Sequence, residues 1–162
     1  MGVYRLLERF FSFSLPEPVS AEDLAVELAR RTRFFRDIVK TELQHPDADS
    51  NLQGFHRAFQ KFLIGSLSRE QFADLYAQTV TYGLFAARTR TTGTFSRRVA
   101  FDAIPHTIGV LRNVFRYISL QDPPDEIEWI VDDIAHCLSA ADPGELLRRY
   151  FEQDSDTDSE GR

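Results

Sequence analysis

The residues in this chain best suited to chemistry are arginines set beside hydroxyls. The stretch RTRTTGTFSRR places Arg88, Arg90, Arg97 and Arg98 around four threonines, a serine and a glycine. Guanidinium groups and small hydroxyls on a loop are common ligands of nucleic-acid phosphate, and arginine grips a phosphate with two parallel hydrogen bonds. A second group, ARRTRFFR, puts Arg30, Arg31, Arg33 and Arg36 within little more than two helical turns. Of the 19 basic residues, all but Lys40 and Lys61 are arginine, which favours directed pairing over diffuse charge. The competing reading is internal pairing with nearby acids. The net charge of -6 and pI near 5.2 favour it, because an autonomous nucleic-acid-binding domain is expected to be basic. Arg88, Arg90, Arg97 and Arg98 are thus the candidate DNA-phosphate contacts.

Other chemistry is sparse. QDPPDEIEW, Gln121 to Trp129, contains Asp122-Pro123-Pro124, three positions of the loop with which amino-methylating DNA enzymes hold a flipped base. Asp125 stands where that loop needs an aromatic ring, and the residues before it read as a helix where the loop needs a buried strand. The simpler reading is a helix opened by the two prolines, its first turn carrying Asp125, Glu126 and Glu128 toward the positive dipole end. His45, His56, His106 and His136 are scattered, and none forms the i, i+4 pair of a helical zinc site. His136 lies beside Asp132 and Asp133 on a helix and reads as a surface residue. Ser12, Ser14 and Ser66 lack a nucleophile-elbow context. The single cysteine, Cys137, falls on an apolar helical face and reads as inert. No catalytic, cofactor-binding or metal-ligating set is visible.

The elements that must carry these residues read as successive helices. Val3, Leu6, Leu7, Phe10 and Phe11 form one face of a short helix, which LPEPV breaks. Ser20 caps a second helix, with Leu24, Leu28, Phe35 and Ile38 on one side and Arg30, Arg33 and Asp37 opposite. A third carries Phe55, Phe59, Phe62 and Leu63 and stops at Gly65. Ser68 and Gln71 open a fourth as a capping box, with a core stripe of Phe72, Leu75, Tyr76, Thr79, Tyr82 and Phe85. Gly83 in that helix leaves room for a close neighbour, and Arg88 and Arg90 at its exit are placed to reach outward. Arg97 to Ile104 is a short fifth helix ended by Pro105. Ile108, Leu111, Val114, Phe115 and Ile118 mark a sixth. Ile127, Ile130, Val131, Ile134 and Leu138 mark a seventh. Asp142-Pro143-Gly144-Glu145 caps the last. No segment alternates with period two and no hairpin dipeptide separates β-rich runs. The expected fold is all-α, an irregular bundle of about seven or eight helices.

Length and composition agree. The 162 residues suggest one domain with a real core. The 14 phenylalanines against one Met and one Trp imply an interior filled by aromatic rings. A lone cysteine excludes an internal disulfide or a cysteine-based zinc cluster and fits a reducing, cytoplasmic setting. No apolar run approaches the roughly 20 residues that span a bilayer, so no membrane is expected among its partners. Residues 152–162 hold five acids and one base, a net of -4, so the remainder carries about -2. Residues 1–151 are therefore expected to be the helical domain and 152–162 an acidic, disordered linker or tail. The alternation DSDTDSEGR lacks the central glycine and the twelfth-position glutamate of a calcium loop.

Within this frame one resemblance stands out. FADLYAQTVTYGLFAARTRTTGTFSRRVAFDAIPHTIGVLRNVFRYIS, Phe72 to Ser119, resembles a segment of the large single-chain restriction-modification enzymes that contain an adenine-specific DNA methylase, the type IIG and related single-polypeptide type I families. The matching features are F-A-x-x-Y-A-Q-T from Phe72, Y-G-L-F-A-A-R from Tyr82 and the Ile104-Pro105 element. WIVDDIAHCL from Trp129, LLRRYFEQDSDTD and the helix from Ser20 to Leu43 are similar to neighbouring parts of the same region. In that family the region is a helical connector ahead of the methylase. The resemblance implies a non-catalytic scaffold that helps position the methylase domain of the same longer chain on DNA, with some contact to the DNA backbone. S-adenosylmethionine is implied for that longer enzyme and no cofactor for this segment. The methyl-donor loop and the Asn-Pro-Pro-Tyr loop are absent from these residues, so no catalytic residue carries over. The extra helix expected over MGVYRLLERFFSF, set against the resemblance, implies that this chain has no nuclease domain ahead of it. The alternative is a stand-alone helical bundle that binds other proteins.

Overall fold

The structure is a computed structural model that describes residues 20–45, 47, 49–105 and 109–159, the side chains of residues 50 and 153–159 excepted. Among these residues the chain is all helix, with seven helices and no strand: α1 (Ala21–Glu42), α2 (Ser50–Phe62), α3 (Arg69–Arg88), α4 (Arg97–Ala103), α5 (Gly109–Leu120), α6 (Asp125–Ala140) and α7 (Pro143–Ser159). The expected helix from Val3 to Phe13, Ile108 at the start of α5, and His106 lie outside the described residues. The backbone of α7 runs on to Ser159, past the expected start of the acidic tail at residue 152.

The helix starts follow from local hydrogen bonding. Each helix begins with orphan backbone N–H groups, and a short oxygen-bearing side chain just before the first turn satisfies one of them. Ser20 Oγ accepts from the Asp23 N–H at 3.1 Å, and Asp49 accepts from Leu52 at 2.9 Å. Ser68 and Gln71 exchange bonds reciprocally as a full capping box. Asp142 accepts from the Glu145 N–H at 3.1 Å, beginning α7 at Pro143. Gly93 is the one described residue with positive φ (77°), and it turns the chain between α3 and α4.

The bundle is built around α3, which packs against α1, α2, α4, α5 and α6. It runs antiparallel to α1. Thr32 Oγ1 donates to Thr81 Oγ1 at 2.9 Å, while Lys40 pairs with Glu70 further along. The expected stripe on α3 is rotated. Phe72, Ala73, Tyr76, Ala77, Val80, Leu84 and Ala87 are buried, whereas Leu75, Thr79 and Phe85 are partly covered and Tyr82 is 67% exposed. The cause is size. A helix with five neighbours needs small residues wherever another backbone comes close. The alanines therefore mark the buried face, and bulky Tyr82 is left outside.

Aromatic rings fill the interior as the composition implied. Phe59 meets Phe72 edge-on at 5.3 Å between centroids. Phe35 meets Tyr76 at 5.9 Å, and Phe55 bridges toward Tyr117 at 5.5 Å. Such pairs add to area burial because ring edges and faces carry opposite partial charge. The tightest fit is at Gly83, where the Phe115 ring of α5 lies 2.5 Å from the position a Cβ would take. A methyl group there must displace a ring that is itself fully buried. Gly83→Ala is expected to destabilise the fold by about 1–3 kcal/mol, the usual cost of overpacking, despite alanine's better helix propensity. Urea unfolding of Gly83→Ala, Phe115→Leu and the double variant checks this. The double variant should be more stable than the sum of the singles implies, and strict additivity would refute the contact.

Candidate functional site

The four candidate phosphate ligands divide into two pairs. Arg88, expected to reach outward, turns inward and is only 8% exposed. Its Nε donates to the carbonyl of Leu138 at 2.9 Å. One terminal nitrogen donates to the carbonyl of Thr91, also at 2.9 Å, and the group lies over the Phe95 ring. A guanidinium has five donors and no acceptor. Carbonyls at the negative end of α6 are therefore natural partners for it.

Arg97 is similarly engaged. It donates to the carbonyl of Ile118 at 3.0 Å, pairs with Asp132 at 3.0 Å and pairs with Glu128. Burial followed by the charge of Glu128 raises the Asp132 carboxyl above its ordinary range, with Arg97 opposing. Arg90 and Arg98, by contrast, are exposed and make no side-chain hydrogen bond or ion pair among the described residues.

The hydroxyl run is partly accounted for by the helix end. Thr89 Oγ1 donates to the carbonyl of Ala86 at 2.8 Å, and Thr91 Oγ1 to that of Arg88 at 3.3 Å. Thr92 and Thr94 remain exposed on the turn. Ser96 caps α4 through the Val99 N–H. The exposed remainder of the motif is thus Arg90, Thr92, Thr94 and Arg98 around Gly93.

The other arginine group is also mostly internal. Arg31 is 7% exposed. It pairs with Glu27 one turn before it and with Asp133 of α6, both at 2.7 Å. Burial opposes its charge, but Cys137, Asp133 and Glu27 outweigh burial and the guanidinium is held more firmly protonated. Arg30 approaches Glu27 and Arg36 pairs with Asp37, while Arg33 is exposed. The expected polar side of α1 is exposed at Arg30, Arg33 and Asp37, and Glu27 and Arg31 join the buried face with Leu24, Phe35 and Val39. The i, i+4 spacing of Glu27 and Arg31 signals their pairing, but Asp133, 102 residues away in the chain, leaves no local trace.

The remaining motifs settle as structure. Pro124 precedes α6, whose first turn carries Asp125, Glu126 and Glu128. The Asp122-Pro123-Pro124 run is therefore a helix start that follows helix α5. Cys137 is partly buried, and burial raises its thiol pKa despite nearby Arg31, which leaves it a poor nucleophile at neutral pH. The hydroxyl of Tyr76 is buried without a hydrogen-bond partner among the described residues, and that of Tyr117 is buried beside Asp49. Burial, and then the negative charge of Asp49, keep both protonated far above their ordinary range. Among the described residues no three His, Cys, Asp or Glu side chains gather into a metal-sized group. No helix there is long and apolar enough to cross a membrane.

Compared with known protein families, curated proteins and solved structures, the chain finds no match.

Arg88→Ala is expected to cost about 1.5–3 kcal/mol of stability, the range for hydrogen bonds made by charged groups, because it leaves the Leu138 carbonyl without its donor. Chemical unfolding of Arg88→Ala beside Arg90→Ala checks the division: the second should fall within about 0.5 kcal/mol of the parent, as exposed substitutions do. Equal losses would contradict it.

Proposed function

We propose that this chain is a non-catalytic helical connector of a site-specific adenine DNA methyltransferase of restriction-modification type. In this reading it packs beside the methylase domain of the same longer chain and helps to seat that domain on DNA. One observation carries the proposal. Two of the three matching features of the resemblance, F-A-x-x-Y-A-Q-T and Y-G-L-F-A-A-R, lie in the helix against which five others pack. The likeness therefore concerns the framework of the bundle, where sequence is most constrained by packing. S-adenosylmethionine belongs to the methylase domain in this reading, and the bundle supplies position.

DNA contact in this proposal is narrowed to Arg90 and Arg98. A guanidinium committed to buried carbonyls and carboxylates cannot leave them for a phosphate without exposing unsatisfied groups, which sets Arg88 and Arg97 aside. The second reading, a bundle that binds other proteins, has its own support in exposed Phe62, Leu63 and Ile64 at the end of α2 (63%, 59% and 48% exposed). Consecutive exposed apolar residues of this kind mark interaction surfaces.

The deciding experiment joins the bundle to the methylase encoded with it and measures transfer of labelled methyl groups to adenine, with and without residues 20–151. Methylation of specific sites should fall at least tenfold without the bundle. Unchanged methylation, or no methylase sequence in or beside the reading frame, would overturn the proposal in favour of the protein-binding reading. In the joined enzyme, Arg90→Ala with Arg98→Ala should weaken DNA binding and reduce the slope of log K against log salt by about 2, since each phosphate no longer neutralised lowers that slope by nearly one. An unchanged slope would remove both arginines from the interface.

A further inference from the structure

The end of α2 presents three consecutive large apolar side chains, Phe62, Leu63 and Ile64, all exposed. The tip has a defined shape, because the N–H groups of Leu63 and Ile64 both donate to the carbonyl of Phe59, at 2.9 and 3.0 Å. Gly65 and Ser66 follow, also exposed, and Leu67 returns the chain to the core. Adjacent residues at a helix end do not share one face, so the three side chains are spread around the tip.

The surroundings of this tip are cationic. From Asn51 to Arg69 the sequence holds no acid, but it holds Arg57, Lys61 and Arg69. All three are exposed and make no ion pair among the described residues. Lys61 Nζ lies 5.2 Å from the centre of the Phe62 ring, and Arg57 stands one turn earlier on the same face of α2. Of the two acids that flank the stretch, Glu70 is taken by Lys40 at 2.7 Å. Asp49 caps the other end of α2, about 20 Å along the helix from the tip, which is beyond the roughly 10 Å over which exposed charges act at 0.1 M salt.

We propose that this tip docks on an anionic lipid surface. Phe62, Leu63 and Ile64 enter the interface, and Arg57, Lys61 and Arg69 meet the headgroups. Charge selects that occupant, since unpaired cations in an acid-free stretch complement anionic headgroups. Shape selects it too. A folded partner covers one face of a helix, whereas fluid lipid closes around side chains on every side of a tip. Exposed apolar residues rimmed by Lys and Arg are also the composition of segments that lie in a membrane interface. No helix among the described residues is long and apolar enough to cross a bilayer, and a surface anchor needs none. The proposal is independent of the connector reading, and it gives the exposed tip a lipid partner in place of the protein partner of the second reading.

The test sediments the full-length chain with vesicles made of equal parts phosphatidylcholine and phosphatidylglycerol, and with vesicles of phosphatidylcholine alone. Binding should be at least about tenfold stronger on the anionic vesicles. Phe62→Ser with Leu63→Ser should abolish it. Lys61→Glu should weaken it by about tenfold or more, while Arg33→Glu, the same reversal at an exposed cation of α1, should change it less than about twofold. These residues are exposed, so each variant should keep the parent's circular dichroism and melting temperature. Absence of binding by the parent chain, or equal binding to both kinds of vesicle, overturns the proposal. Equal losses from Lys61→Glu and Arg33→Glu also overturn it, because the attraction would not then belong to the tip. So does self-association of the parent without lipid that Phe62→Ser with Leu63→Ser removes, which would make a second copy the occupant.

Discussion

Three guanidinium groups from three different helices converge on α6. Arg31 of α1 takes Asp133, Arg97 of α4 takes Glu128 and Asp132, and Arg88 of α3 takes the carbonyl of Leu138. Burying a guanidinium is costly unless its donors are matched, so each of these contacts fixes where a helix must lie against α6. Asp132, Asp133 and Glu128 make α6 acidic along its length, and the arginines of its neighbours answer that charge. Removing one partner leaves the other charge stranded, which makes the set mutually dependent.

The apolar packing obeys the same geometry from the other side. Helix α3 can stand at the centre because Ala73, Ala77, Gly83 and Ala87 let neighbours close on it. The Phe115 ring uses the space at Gly83, and Phe72 and Tyr76 extend into the aromatic cluster with Phe35, Phe55 and Phe59. The polar contacts set the orientation of α6, and the small residues set the depth at which α3 sits. Both follow from one physical demand: close-packed interiors accept neither a void nor an unmatched charge.

These commitments bear directly on function. A chain with 19 basic residues looks rich in phosphate ligands until the partners of its arginines are known. Once Arg31, Arg88 and Arg97 are tied to the fold, the surface charge available around the Gly93 turn reduces to Arg90 and Arg98. The net charge of -6 disfavours strong nucleic-acid binding by this segment alone, because such binding depends on cationic side chains.

Much of the fold was legible in the sequence. Helix class, the caps at Ser20, Ser68 and Asp142, the helix start after Pro124 and the close neighbour at Gly83 rest on interactions within a few residues, and local pattern records those faithfully. The face of α3 that is buried was not legible, since periodicity shows that a helix has an apolar side but not how many neighbours it must admit. The fate of the arginines was hidden for the same reason. Arg88 and Leu138 are 50 residues apart, and Arg31 and Asp133 are 102 apart. An arginine reads as free or committed only when folding brings its acceptor within hydrogen-bonding reach. Residue order alone makes this chain helical and puts its chemistry on arginine. Which arginines hold the bundle together depends on how the helices pack, because a charge buried against a distant partner has no local signature.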